Sequence, residues 1–92
     1  MVKAPIDGVV EYCNNDERIT DVIGSPISSG SNFNVSNYNN ENGNGSADLG
    51  FEITGPKGSA QVEGVVRGVN GNWTPEDMTV TFDDGSTLKI PE

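Results

Sequence analysis

Few residues in this chain have the type and spacing that chemistry needs. There is no histidine, which removes the commonest general base and the commonest transition-metal ligand. Ser86-Thr87-Leu88-Lys89 matches the S-x-x-K string of serine acyl-transfer enzymes. That chemistry needs the serine and lysine one helical turn apart. Here the string runs from a turn into a strand, where residues three apart point to opposite faces. Gly55-Pro56-Lys57-Gly58-Ser59 is glycine-rich with a lysine. It lacks the G-x-x-x-x-G-K-[ST] spacing of a phosphate loop and joins two strands, so it reads as a plain turn. Asp83-Asp84-Gly85, with Glu76-Asp77 upstream, offers oxygen ligands for calcium, but the EF-hand spacing is absent.

Cys13 is the single cysteine. It cannot form an intramolecular disulfide or, alone, a cysteine-based zinc site. It lies on an apolar stripe with Val9 and Val10, the usual setting of a small buried hydrophobe. For a copper site only Met1 and Met78 stand ready to assist it. Three strings fit the N-glycosylation pattern: Asn34-Val35-Ser36, Asn44-Gly45-Ser46 and Asn72-Trp73-Thr74. An asparagine-rich chain makes these by chance, and they matter only in a eukaryotic secretory setting. No base, nucleophile and orienting group can be assembled from these pieces, so the sequence reads as non-catalytic, with no cofactor.

The elements that would position these residues can be read from periodicity. Ninety-two residues make one domain. Ile6, Val9, Val10 and Cys13 share one helical face, and Ile19, Val22 and Ile23 share another, out of phase by roughly 140°. One straight helix cannot bury both, so the spacing predicts two short helices over 4–24, broken at Asn14-Asn15. Pro5 suits the first position of the first helix. Asn15 is expected to cap the second, and Gly24 to end it, with Pro26 just beyond.

After Pro26 the period becomes two. Phe33 and Val35 mark a half-buried strand, and residues 37–46 read as a mobile, Asn/Gly-rich hairpin loop. Ala47, Leu49, Phe51 and Ile53 alternate with polar residues in the clearest strand of the chain. Residues 59–69 form another, with Ala60, Val62 and Val66 on one side. Asn70-Gly71 is a type I′ hairpin signal. Thr74-Pro75-Glu76-Asp77 predicts one turn or a bulge. Met78, Val80 and Phe82, then Leu88 and Ile90, close the sheet. The expected class is α+β: two short N-terminal helices on one face of a four- to five-stranded antiparallel meander. Residues 1–4 are expected to be a linker remnant.

Five basic residues stand against fourteen acidic, a net charge of −9. A nucleic-acid backbone or an anionic membrane surface needs clustered Lys and Arg, so neither is an expected partner. No apolar run approaches the ~18 residues of a membrane span. The outward side of strand 59–69 places Val65 and Val69 beside Gln61, Glu63 and Arg67. The expected binding surface is an exposed sheet edge or this helix-free face, and Val65, Arg67, Val69 and Trp73 are the candidate partner-binding residues.

The order of the motifs resembles one family. Ile23-Gly24-Ser25-Pro26-Ile27 ends a helical segment, and a variable polar loop follows. Then come Ala47-x-Leu49-x-Phe51-x-Ile53, Gly55-Pro56-Lys57-Gly58-Ser59-Ala60, and Asn70-Gly71-Asn72-Trp73 before a final apolar hairpin. Over about residues 9–90 this is similar to the soluble domain of the cytochrome oxidase complex assembly factor 1 family, in a bacterial-type member. The resemblance implies an N-terminal membrane anchor ahead of the domain, which then stands on the extracytoplasmic side. It also implies a fold similar to a translocase subunit domain, and protein partners among respiratory-complex subunits or assembly factors. It supplies no catalytic residues. The domain is expected to be a monomer. The alternative expectation is a calcium- or small-ligand-binding domain that uses the acidic turns.

Overall fold

The structure, a computed structural model, describes residues 3–91. Two helices, α1 (Lys3–Asn14) and α2 (Glu17–Ile23), precede five strands: β1 (Ser28–Glu41), β2 (Asn44–Gly55), β3 (Gly58–Val69), β4 (Asn72–Phe82) and β5 (Thr87–Ile90). The strands form one antiparallel sheet in the order β1-β2-β3-β4-β5. Both helices lie on the same face, α1 chiefly across β4 and α2 against β2 and β3. The expected α+β meander is therefore the fold. Lys3 and Ala4, expected to be linker, belong to α1, while Met1 and Val2 lie outside the described residues.

The helix break follows the two apolar phases. Ile6, Val9 and Cys13 of α1 and Ile19 and Ile23 of α2 are all buried. The cap differs from expectation. Asp16, not Asn15, caps α2: its backbone is extended and its carboxylate accepts the Arg18 N–H at 3.0 Å. The asparagine amide of residue 15 instead donates to the Glu11 carbonyl and helps close α1. Pro5 sits third in α1 rather than first, still within the turn whose N–H groups need no helical acceptor. Val22 leaves the buried stripe, because it stands roughly 80° off the seam that Ile19 and Ile23 define.

Asn14 joins the layers. Its Nδ2 donates to the Val10 and Ile27 carbonyls, and its Oδ1 accepts from the Ile27 N–H at 2.7 Å. One side chain thus satisfies both backbone groups of the residue that leads into β1.

Trp73 ties α1 to the sheet. Its ring lies against Gly68, where a Cβ would come within 2.6 Å of it. Its backbone carbonyl lies against Gly8, where no Cβ would fit. The predicted interruption at 74–77 is a bulge: Val65 pairs with Asp77 and Val66 with Pro75, leaving Glu76 extra. That extra residue shifts the phase of β4. Trp73 and Pro75 before it, and Met78, Val80 and Phe82 after it, all face the core.

Residues 37–46 depart most from expectation. They are not a ten-residue loop. Asn37–Glu41 continues β1, Asn44 begins β2, and only Asn42-Gly43 turns. Both turn residues have positive φ, 55° and 85°, as do Asn70 and Gly71 at 53° and 86°. These are two I′-like hairpins at one end of the sheet, and they touch: the Gly71 N–H donates to the Gly43 carbonyl at 3.0 Å, and the Asn70 N–H to Asn44 Oδ1 at 3.1 Å.

Candidate interaction surfaces

The fold separates the pieces that might have formed a chemical site. Ser86 Oγ donates to Asp84 Oδ1 at 2.6 Å within the β4–β5 turn, while Lys89 Nζ meets Asp77 at 3.4 Å. Ser86 and Lys89 therefore have different partners. Glu76 pairs with Arg67 at 2.8 Å. Asp77 lies on β4 and Asp83 at the far end of that strand, about 20 Å away at strand rise. Among the described residues no group of His, Cys, Asp or Glu could hold a metal ion.

Cys13 is fully buried, and burial, with a smaller contribution from Asp16, pushes its thiol pKa up to about 12. At neutral pH it is protonated, which makes it a packing residue rather than a nucleophile or thiolate ligand. Met78 is likewise buried, and Met1 lies outside the described residues. Beside Cys13 the Asp16 carboxyl is held below its usual range, first by its hydrogen bonds from the Arg18 side chain at 2.7 and 3.0 Å.

Val65, Arg67 and Val69 do share the helix-free face of β3. Val65 is half-buried, Arg67 is paired to Glu76, and Val69 stands 52 % exposed beside the Asn70-Gly71 turn. The two valines are roughly 13 Å apart along the strand. Trp73 does not join them. It is only 5 % exposed, lies on the opposite face beneath α1, and packs against the tilted Tyr38 ring with centroids 6.1 Å apart. The alternation of β4 puts it there, because its partner Gly68 belongs to the helix-side row with Val66. The remaining helix-free positions are polar: Asn34, Ser36, Gln61, Thr79 and Thr81, among others.

A second surface was not singled out from sequence. Phe33 and Val35 of β1 pair with the buried Phe51 and Leu49, so they point to the helix side. Yet they are 42 % and 38 % exposed, because the helices pack chiefly on β4 and β3 and touch this edge strand only lightly. Phe33 covers only the flank of Phe51, with ring centroids 5.8 Å apart. Alternation announced these two as core-facing. It carried no sign that β1 would be an edge.

The motifs that carry the family resemblance are contacts rather than reactive groups. The Ile23-Gly24 end of α2 meets the Pro56-Lys57 turn, whose Lys57 N–H donates to the Ile23 carbonyl at 2.8 Å. The Asn70-to-Trp73 motif forms the touching hairpin and the α1 anchor described above. No curated protein and no solved structure matches the chain. The family model described as cytochrome oxidase complex assembly protein 1 matches residues 3–92, nearly its whole length. The chain belongs to the cytochrome oxidase complex assembly protein 1 family.

Proposed function

We propose that this domain works in cytochrome oxidase assembly by binding other proteins rather than by catalysis. The observation that carries this reading is the family match over residues 3–92, which takes in both helices and every strand. Two structural features support it. The family-marking motifs hold the fold together and expose no reactive group. The β1 edge leaves backbone hydrogen-bonding groups and two large apolar side chains open to a partner. In this reading the domain stands on the extracytoplasmic side of a bacterial membrane, held there by an anchor in the longer protein. Its partners are oxidase subunits or other assembly factors.

The test is genetic. Removing the protein from its native organism should lower the content of assembled cytochrome oxidase, read from the reduced-minus-oxidised spectrum of the membranes, and returning the gene should restore it. Unchanged oxidase content in the deletion strain would overturn the reading. The acidic-turn alternative draws no support from the geometry, since the carboxylates of β4 and of the β4–β5 turn do not converge.

A further inference from the structure

The two edges of the sheet are guarded differently. β5 is four residues long, carries Lys89, and is followed by Pro91. Short length, lysine and proline are the devices that keep an edge from pairing with another chain. β1 is fourteen residues long and contains no lysine, arginine or proline. Its longest regular stretch is Phe33–Ser36, bounded by register shifts at 30–32 and 37–38.

A strand added to Phe33–Ser36 would meet a different chemistry on each face. On the helix side it would lie beside the exposed Phe33 and Val35. On the helix-free side it would lie beside Asn34 and Ser36, at the rim of a hollow over Gly50. The register surrounds that hollow with carboxylates: Asp48 and Glu52 two residues away on β2, and Glu63 directly opposite on β3. The basic residues that share this face are paired to other carboxylates, Arg67 to Glu76 at 2.8 Å and Lys89 to Asp77 at 3.4 Å, and β1 and β2 contain no Lys or Arg. Of the three, only Asp48 has a side-chain partner among the described residues, the neutral amide of Asn37 at 2.8 Å.

Resting on the protein-binding reading above, we infer that β1 is the docking edge, and that it takes an extended partner segment in which apolar residues alternate with lysine or arginine. The period of two along a strand sends the apolar side chains onto Phe33 and Val35 and the basic ones over Asn34 toward Glu52, Asp48 and Glu63. Charge decides against a second copy of this chain as the occupant. A symmetric β1–β1 pair would bring two bodies of net charge −9 together, with Asp48 and Glu52 of each facing those of the other across the paired β1 strands, about 14 Å apart.

The probe is a capped seven-residue peptide of alternating valine and lysine, titrated into the intact domain while backbone amides are followed by NMR. Binding should protect the amides of Phe33–Ser36 and weaken with added salt. A peptide with glutamate for lysine should not bind. One with the same composition, but its lysines and valines in separate blocks, should bind at least about tenfold more weakly, because it cannot present the two chemistries on two faces. Phe33→Ser should weaken the alternating peptide about two- to fivefold, and Glu52→Gln by a similar factor with reduced salt sensitivity. Cooperative thermal melts, lowered by no more than a few degrees, would show that both variants fold.

Equal binding of the block peptide, or shifts confined to residues away from β1, would overturn the inference. So would sedimentation as a dimer with the β1 amides already protected. This failure is separable from failure of the assembly reading. Oxidase lost on deletion, with the peptide unbound, would remove the β1 docking edge and leave the assembly role standing.

Discussion

The half of the sheet under α1 and the half that ends in β1 use the same alternation to different ends. In β3 and β4 the apolar helix-side residues are buried, and Trp73 is wedged so closely that Gly8 and Gly68 have no room for a side chain. In β1 the same alternation leaves Phe33 and Val35 with one buried neighbour each and water on the other side. Both regions are built of hydrogen-bonded antiparallel strands. What separates them is how far a second layer covers the strand, and the helices touch β1 only lightly. Burial is what makes a strand position costly to change, so the two halves should respond to substitution to very different degrees.

The largest effect should fall at the α1–β4 contact. Gly8→Val places a branched side chain where the Trp73 carbonyl already sits, and α1 must lift from the sheet. Chemical denaturation should show a loss of about 3 kcal/mol or failure to fold. Retention of full stability would mean that α1 is not held by this contact.

Asn14→Ala should come next, at about 1–3 kcal/mol, because it strips the Ile27 N–H and C=O of their partner. Asn14→Asp would keep the acceptor and lose the donor, so its melting temperature should fall between those of wild type and Asn14→Ala.

Asp16→Ala should cost about 1 kcal/mol, the ordinary value of a helix N-cap. Its folded pKa is lowered, chiefly by the Arg18 side-chain hydrogen bonds. The charged part of its contribution is therefore complete above the unfolded carboxylate pKa of about 3.9 and is lost as pH falls through the lower folded value. Stability measured against pH should show the gap between wild type and Asp16→Ala narrowing in acid. A constant gap would mean that the carboxylate charge is idle.

At the bare edge the expected cost is smallest. Phe33→Ser should change stability by no more than about 0.5–1 kcal/mol, since the ring is half in water already. A loss near that of Gly8→Val would abolish the contrast between the two halves and mean that β1 is structurally part of the core.

Much of this molecule was legible in its residues. The phase jump between Val10 and Ile19 announced two helices, because burial of both stripes on one straight axis is geometrically impossible. Period-two runs announced the strands, and Asn70-Gly71 its hairpin, because only residues that tolerate positive φ make such turns. Asn42-Gly43 carries the same signal. It was hidden inside a polar run whose lack of apolar residues suggests a loop. Those strand ends are held by contact with the other hairpin, through the Gly71 bond to Gly43, and no local sequence preference encodes a contact between residues 28 positions apart. The surface was less legible still. Trp73 and Val69 lie four residues apart and are both large and apolar. One is buried under α1 and the other faces water because of their parity in the hairpin. Local alternation determines which residues share a face of a strand. Which face is covered, which strand becomes the edge, and so where Phe33 and Val35 meet solvent depend on where the helices stop, and only the packing of the whole chain decides that.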